Sequence, residues 1–289
     1  MQTTQPNGRA AEPAVSIPQQ EGTDSVLKAS NPPPSAQVEP EVTPHLPPDE
    51  QEQASQATSP LRGFIDPRRM QTPAAHLRET NPYIDLVERL PEFLLDMPAG
   101  LEQRGKWQAR FARPQPLYVE LGAGYGHFLA QLAPLHLDRN YVGIELKFKR
   151  LFKAASKIKA QGLSNVQYLR FDVLALEQAF APGELSGVYI NFPDPWPKST
   201  HVSKRMVSPL LVAQLERLLP VGATVELKSD WEPNREWFQE AFAGSRFEQT
   251  DYIANLSDWD RAHENVQTTY EARFRRSGLP CFFFEYTLR

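Results

Sequence analysis

The sequence has few of the residues on which disulfide-bonded and metal-binding proteins depend. Its single cysteine, Cys281, excludes a disulfide within the chain and any cysteine-rich zinc site. Its six histidines include no pair four residues apart, the spacing that a metal site on one helix face uses. We therefore expect no bound metal and a reducing compartment, which points to the cytoplasm.

Long apolar runs are also missing. No stretch of about 18 apolar residues occurs, and the N-terminus lacks the basic start and apolar run of a signal peptide. We expect a soluble protein that is neither exported nor inserted into a membrane.

Aromatic residues are absent from residues 1–60, although this segment contains 11 of the 27 prolines. So little apolar surface cannot offset the entropy lost on ordering, which predicts a disordered acidic extension over 1–60 and one α/β domain over 61–289. The extension has two basic and eight acidic residues, a net charge of −6, whereas the remaining 229 residues have a net charge of +2. That small excess does not by itself indicate a nucleic-acid partner.

Beyond residue 60, short apolar runs alternate with longer amphipathic segments. Apolar residues at roughly helical spacing over 81–97 predict an N-terminal helical lid, which Pro91 bends or splits. The predicted strands are 116–121, 141–145, 166–171, 187–191, 223–228 and 281–288, and the predicted helices between them are 126–133, 148–160, 174–180, 209–219 and 233–243. This alternation indicates βαβ units and a mainly parallel sheet. Because no helix follows the final strand, we expect that strand to run antiparallel and to close one edge.

A glycine-rich turn follows the first of the long predicted strands, in the run Glu120-Leu-Gly-Ala-Gly-Tyr-Gly126. A dinucleotide fingerprint would place its third glycine at position 127, which is His127. The spacing G-x-G-x-G behind an acidic residue instead resembles motif I of the class I S-adenosylmethionine-dependent methyltransferases. This resemblance implies that Gly122 belongs to a cofactor-binding turn and that Glu120 faces the cationic methionine end of the cofactor.

The next two predicted strands also end in carboxylates, Glu145 and Asp172. A carboxylate at the position of Glu145 accepts hydrogen bonds from ribose hydroxyls in nucleotide-binding α/β folds, whether the nucleotide is NAD or S-adenosylmethionine. Asp172 lies where an adenine amino group can donate to it. Three acids in succession at strand ends indicate a binding site rather than solvated strand termini.

A proline-rich run, Asn191-Phe-Pro-Asp-Pro-Trp-Pro-Lys198, follows the fourth of these strands. Proline restricts the preceding residue to extended geometry, so we expect Phe192 and Asp194 to be held stiff and the Asp194 carboxylate to be aimed in advance. Trp196 and Lys198 suit a planar, anionic ligand such as a nucleotide. Trp196 either stacks on a nucleobase or packs under the loop.

Residues 189–198, followed by His201, Lys204 and Arg205, are similar to the signature of the bacterial-type tRNA (guanine-N7)-methyltransferases. Two further segments resemble motifs of the same family: Leu227–Asp230, and Thr268–Glu271 followed by Arg273, Phe274 and Gly278. The resemblance implies a Rossmann-like class I methyltransferase fold, with a mainly parallel seven-stranded sheet, an antiparallel final strand and helices on both faces. It also implies methyl transfer from S-adenosyl-L-methionine to N7 of guanosine 46 in the variable loop of tRNA.

The same resemblance implies a role for each matching residue. The cofactor would be bound by Glu120, Gly122, Glu145, Asp172 and Asp194, and Asp194 would also be the catalytic residue. The guanosine substrate would be bound by Lys198, Asp230, Thr268, Thr269, Tyr270 and Glu271. We expect tRNA as the partner, no obligatory protein partner, no membrane, and either a monomer or a homodimer.

The chain departs from the family where a denser basic run usually follows the lysine, because Ser199, Thr200 and Ser203 occupy commonly basic positions. Six cations of one predicted helix, Lys147, Lys149, Arg150, Lys153, Lys157 and Lys159, either compensate by binding phosphates or form a solvated helix face. Two rival functions are an NAD-dependent oxidoreductase and a non-catalytic RNA-binding protein on the same fold. The glycine spacing argues against the first, and the intact set of acidic and glycine residues argues against the second.

Overall fold

The computed structural model describes residues 75–260 and 265–289. These residues form a fold that is built on one eight-stranded sheet. The predicted disordered extension, residues 1–60, lies outside the described residues. The strands are β1 Leu94–Leu95, β2 Leu117–Leu121, β3 Asn140–Ile144, β4 Val166–Leu169, β5 Gly187–Asn191, β6 Thr224–Ser229, β7 Phe247–Ile253 and β8 Phe282–Leu288. Their order across the sheet is β1-β4-β3-β2-β5-β6-β8-β7.

Helices follow most of the strands. They are α1 Ala75–Thr80, α2 Tyr83–Val87, α3 Met97–Glu102, α4 His127–Leu132, α5 Phe148–Gln161, α6 Leu176–Ala179, α7 Pro209–Leu218, α8 Asn234–Phe242 and α9 Thr269–Arg276. Short 3-10 turns cover Trp107–Arg110, Val173–Ala175, Ser199–Lys204 and Leu256–Asp258. The predicted strands and helices from 116 to 243 are therefore confirmed, with ends that differ by up to two residues, except that the segment 174–180 divides into a 3-10 turn and the short helix α6.

Two apolar clusters cover the two faces of the sheet. One joins the strands to α3, α6, α7 and α8, through side chains such as Met97, Leu176, Leu211 and Phe238. The other packs α4 and α5 against the opposite face. The structure confirms the predicted helices on both faces of a mainly parallel sheet. The predicted number of seven strands is wrong, because β1 pairs with β4 and adds an eighth.

The order in which strands are added to the sheet reverses at β2. This strand pairs in parallel with β3 on one side and with β5 on the other. In an open parallel sheet, ligands bind beyond the carboxyl ends of the strands at such a switch point. The carboxyl ends of β2, β3 and β5 therefore mark where a binding site is expected.

The predicted helical segment 81–97 is wrong beyond its first turns. Helix α2 ends at Val87, and the chain turns to form β1, which pairs in parallel with β4. Pro91 has no N–H to donate within a helix, whereas the backbone oxygens of Phe93 and Leu95 accept hydrogen bonds from β4 and the residue that follows it, at 2.7 and 2.9 Å. Sheet pairing thus outweighs the helical spacing of the apolar residues.

The final strand runs antiparallel, as predicted, but its predicted position at the sheet edge is wrong. β8 lies between β6 and β7 and is antiparallel to both. The edge strand is β7, which no apolar pattern predicts because, of its seven residues, Phe247 alone is buried. The burial of six of the seven residues of β8 is what an internal strand requires.

Within the described ranges, no helix is both long enough and apolar enough to cross a lipid bilayer. In the same residues, no group of three or more His, Cys, Asp and Glu side chains is arranged to hold a metal ion.

Replacing Phe284 with alanine tests the internal position of β8. Phe284 is fully buried, pairs with Leu227 of β6 and Tyr252 of β7, and packs edge-on against Phe238. We expect the free energy of unfolding, measured with urea, to fall by about 3–5 kcal/mol. Leu279→Ala, at a side chain that is 51% exposed, is the control and should change it by less than about 0.5 kcal/mol. If both variants lowered the free energy of unfolding by the same small amount, the internal position of β8 would be contradicted.

Candidate active site

The glycine turn after β2 adopts a backbone that other residues rarely adopt. Gly122, Gly124 and Gly126 have φ of +76°, +56° and +67°. A Cβ atom at position 126 would lie 2.3 Å from the Tyr168 hydroxyl and 2.6 Å from the Ala154 Cβ. The turn therefore depends on glycine for its conformation and for the close packing of β4 and α5 beneath it.

Glu120 presents a buried carboxylate at the carboxyl end of β2. Its side chain is 2% exposed, and Oε1 accepts a hydrogen bond from Asn191 Nδ2 at 3.0 Å. Within the described residues, Oε2 has no hydrogen-bond partner. Burial raises the pKa of Glu120 to about 8, although the Asn191 hydrogen bond and the Lys228 charge oppose the shift. A cationic donor at Oε2 would relieve this desolvated charge, as a cofactor ammonium group would.

The other two predicted cofactor carboxylates end the neighbouring strands. Glu145 follows β3 and is buried; Oε1 accepts from the backbone N–H groups of Leu146 and Lys147 at 2.9 and 3.0 Å, and Oε2 lies 3.3 Å from Arg150 Nη1. Asp172 is also buried and accepts from the N–H of Leu174 at 3.0 Å, which starts the turn after β4. The structure thus brings Glu120, Glu145 and Asp172 to one edge of the sheet, as predicted from their strand positions.

The proline loop begins at the end of β5 and has two strained residues. Phe192 has φ +50° and Trp196 has φ +41°, and each directly precedes a proline. The predicted extended geometry of Phe192 is therefore wrong. Such a backbone in a non-glycine residue costs on the order of 1–3 kcal/mol and persists only where the surroundings hold it. Asp194, between the two, is exposed, and its charge acts on Arg150.

Contacts on both sides of Asp194 hold these strained residues. The Phe192 ring stacks near Tyr270 and Phe274 of α9, with ring centroids 6.1 and 6.0 Å apart, and its N–H donates to the Lys228 oxygen at 2.8 Å. The Trp196 ring lies edge-on to His201 at 5.3 Å and below Lys204 Nζ at 4.9 Å. Of the two alternatives for Trp196, this arrangement favours packing within its own loop.

The two remaining predicted substrate residues near the loop differ in exposure. Lys198 is exposed and precedes the turn Ser199–Lys204. Asp230 directly follows β6 and is partly buried, which raises the pKa of its carboxyl above the ordinary value. Both lie beyond the carboxyl ends of β5 and β6, on the same edge as the three carboxylates that are predicted to bind the cofactor.

The segment Thr268–Glu271 divides into buried and exposed residues. Thr268 is the N-cap of α9, and its hydroxyl accepts from the Glu271 N–H at 3.0 Å. Glu271 is fully buried, whereas Thr269 and Tyr270 are exposed. Of the four predicted substrate contacts, Thr269 and Tyr270 are thus open to a ligand in this structure, and Thr268 and Glu271 stabilise the helix that carries them.

Glu271 belongs to a buried ion cluster that sequence reasoning missed. Its Oε1 accepts from Asn265 Nδ2 at 2.6 Å and from Arg275 at 3.3 Å, and its Oε2 lies 3.6 Å from Lys228 Nζ. Burial lowers the pKa of Lys228, and the Glu271 charge opposes that change. Lys228 also donates to Asn265 Oδ1 and to the Val266 oxygen. The sequence did contain a signal for this cluster. Lys228 lies inside a predicted strand, and a buried cation requires a partner.

The sheet order, the glycine turn at the switch point and the row of carboxylates define the class I methyltransferase type of site. A family model described as "Putative methyltransferase" matches residues 114–284. The tRNA (guanine-N(7)-)-methyltransferase of Leuconostoc mesenteroides is 34% identical over 72% of this chain and 97% of its own length, and that of Latilactobacillus sakei is 33% identical over 70% and 93%. The chain belongs to the tRNA (guanine-N(7)-)-methyltransferase family. A crystal structure of the 16S rRNA methyltransferase KamB is 16% identical, covers 64% of this chain and 91% of its own, and has a TM-score of 0.49.

Replacing Glu120 with glutamine tests whether burial raises the pKa of the Glu120 carboxyl group. Because the folded-state pKa is raised from 4.5 to about 8, the folded protein holds a proton that the unfolded chain releases in this range. Without ligand, wild-type stability should therefore fall relative to Glu120→Gln as the pH rises from about 4.5 to about 8, by up to about 1.4 kcal/mol per pH unit.

The measurement is urea unfolding of both proteins at several pH values. Glu226, whose pKa burial raises to about 7, contributes with the same sign in both proteins, so the difference between them isolates Glu120. Parallel stability curves for the two proteins would contradict this assignment.

Proposed function

We propose that this protein transfers the methyl group of S-adenosyl-L-methionine to N7 of guanosine 46 in the variable loop of tRNA. The observation that carries the proposal is the strained loop that holds the exposed Asp194 and that starts at Asn191, which donates a hydrogen bond to the buried carboxylate of Glu120. The names of the relatives, which are tRNA (guanine-N(7)-)-methyltransferases, support the choice of substrate.

The residues at the carboxyl edge fit the proposed cofactor. The Oε2 atom of Glu120 would accept from the methionine ammonium group, and Gly122 adds no side chain of its own to the turn beside it. Glu145 would accept from the ribose hydroxyls and Asp172 from the adenine amino group. When bound, S-adenosyl-L-methionine supplies an activated methyl group as a sulfonium.

The guanine requires alignment rather than deprotonation, because N7 already presents an acceptor lone pair. Methylation leaves positive charge on the imidazole part of the base. Asp194 and Asp230 would accept hydrogen bonds from the N–H groups of the base and stabilise that charge electrostatically. Asp194 would serve both sides of the reaction, since its loop starts at the carboxyl end of β5 and leads to the exposed Lys198.

We infer that the buried part of the Thr268–Glu271 motif acts by positioning. The cluster of Lys228, Glu271 and Arg275 fixes α9 against β6, and α9 in turn presents Thr269 and Tyr270 at the surface. Those two exposed residues would contact the substrate directly.

Cations on α5 offer phosphate contacts near the site. Lys147, Lys149 and Lys153 are exposed, and Lys147 adjoins Glu145 at the carboxyl edge. Three others already have partners: Arg150 pairs with Glu145, Lys157 donates to the Tyr125 oxygen, and Lys159 pairs with Glu92. We propose that the three exposed lysines bind tRNA phosphates in place of the basic residues that the loop lacks at 199, 200 and 203.

The test of the proposed function is incubation of the purified protein with unmodified tRNA and methyl-labelled S-adenosyl-L-methionine, followed by nucleoside analysis. We expect label in 7-methylguanosine at position 46, and none with a tRNA carrying adenosine at that position. Cofactor binding without any 7-methylguanosine would contradict the proposal and favour a non-catalytic RNA-binding protein.

Replacing Asp194 with alanine tests the catalytic assignment. We expect kcat to fall by about 100-fold or more, as when one preorganised electrostatic group is removed, while the thermal midpoint is retained because the side chain is exposed. Asp138→Ala is the matched control, an exposed aspartate just before β3, at the amino end of the sheet. Near-normal turnover of Asp194→Ala would refute the assignment.

A further inference from the structure

Arg205 contacts both the proline loop and helix α8. It lies just after the turn Ser199–Lys204, 11 positions beyond Asp194. We propose that Arg205, held against Trp237, is a positioning residue that fixes Asp194 through the backbone of the proline loop. This inference rests on the proposed function, in which Asp194 is the catalytic residue.

The contact with the loop is a hydrogen bond to its strained residue. Arg205 Nε donates to the backbone oxygen of Trp196 at 3.2 Å. Trp196 has φ +41° and is two residues beyond Asp194, with Pro195 between them. Because proline has a fixed φ, holding the Trp196 carbonyl restricts where the Asp194 side chain points.

The contact with α8 is a stack on an indole ring. The guanidinium carbon of Arg205 lies 3.7 Å from the centroid of the Trp237 ring, a close cation–π geometry. Trp237 is itself fixed, because its Nε1 donates to the Val207 oxygen at 2.7 Å and its side chain packs against the main apolar cluster. The arginine is thus held by a rigid element before it reaches the loop.

Besides Arg205, the contacts on this side of the loop come from the turn that directly follows it, where His201 and Lys204 contact the Trp196 ring. Asp194, Pro195 and Pro197 are exposed. Among the residues that the structure describes, the hydrogen bond from Arg205 is the one that reaches residues 193–197. On the other side of Asp194, the strained Phe192 is held by α9 and by the Lys228 oxygen. The loop is therefore held by α9 and β6 before Asp194, and Arg205 connects it to α8 after Asp194.

A phosphate contact is the competing role for a cation here. Arg205 is only partly buried, and its neighbour Lys204 is exposed. The two roles differ in what they change: a phosphate contact contributes to tRNA binding and to its salt dependence, whereas a positioning contact contributes to turnover. The variant Arg205→Lys separates the two roles further. Lysine keeps the positive charge that a phosphate contact needs, but it lacks the planar group that stacks on Trp237 and donates from Nε.

The kinetic test compares Arg205→Ala, Arg205→Lys and Trp237→Leu with wild type on unmodified tRNA. We expect each to lower kcat at least tenfold, with the KM for tRNA and its salt dependence changed less than twofold. The double variant Arg205→Ala/Trp237→Leu should lose no more than the larger single loss, because the two residues act as one unit. Arg235→Ala is the matched control, an exposed arginine of α8 that lies over the Tyr252 ring, 5.3 Å from its centroid, and should retain wild-type kinetics.

A raised KM with a shallower salt dependence and an unchanged kcat would show that Arg205 binds phosphate, and would overturn the proposal. Rescue of kcat by Arg205→Lys would also overturn it. Thermal midpoints identify any variant that fails to fold, and Arg205→Lys then carries the test in place of Arg205→Ala.

A second measurement does not depend on activity. Trypsin cleaves after Lys198, which is exposed in the loop, and mass spectrometry of the full chain follows that cleavage. We expect Arg205→Ala to be cleaved there at least threefold faster than wild type and than Arg235→Ala, because the loop loses its support. Equal rates would overturn the proposal. If Arg205→Ala were cleaved faster but the wild-type protein formed no 7-methylguanosine, Arg205 would still be shown to hold the loop. Only the proposed function would then be rejected.

Discussion

The hydrogen bond from Asn191 to Glu120 joins the two halves of the site. Asn191 ends β5 and starts the proline loop, whereas Glu120 lies one residue before the carboxyl end of β2. The bond orients one carboxylate oxygen, while the other is buried and has no hydrogen-bond partner in the described part of the chain, so a cation from outside could bind there. The same residue that starts the proline loop thus orients the carboxylate that we propose binds the cofactor. Parallel pairing of β2 with β5 makes this contact possible.

Strain in the proline loop is balanced by contacts with helix α9 and with Arg205. Left-handed backbone at Phe192 and Trp196 is unfavourable by itself, so the loop conformation depends on what surrounds it. Helix α9 holds Phe192 and is fixed to β6 by the buried pair of Lys228 and Glu271. Removing one partner of such a pair leaves an uncompensated buried charge, so this cluster supports the site without contacting the reacting atoms.

Much of the fold can be predicted from the sequence, and so can the row of carboxylates at the carboxyl edge of the sheet. Apolar runs end in Glu120, Glu145 and Asp172, and because the strands are parallel, these three acids must lie at the same edge. Other features depend on distant partners. β7 has too few apolar residues to show a strand pattern, and its pairing is supplied by β8. The φ of Phe192 opposes the local preference before proline and is set by α9. The burial of Glu271 follows from Lys228, 43 residues earlier in the chain.

The central claim is that Glu120, on β2, and Asp194, in the loop after β5, both face the cofactor of the proposed reaction. The most direct measurement is a crystal structure of the protein with S-adenosyl-L-homocysteine bound. The account predicts the ligand's ammonium nitrogen within hydrogen-bond distance of Glu120 Oε2, its ribose hydroxyls at Glu145, and Asp194 beside its sulfur. A ligand bound elsewhere, or one whose ammonium group leaves Glu120 Oε2 unpartnered, would contradict it.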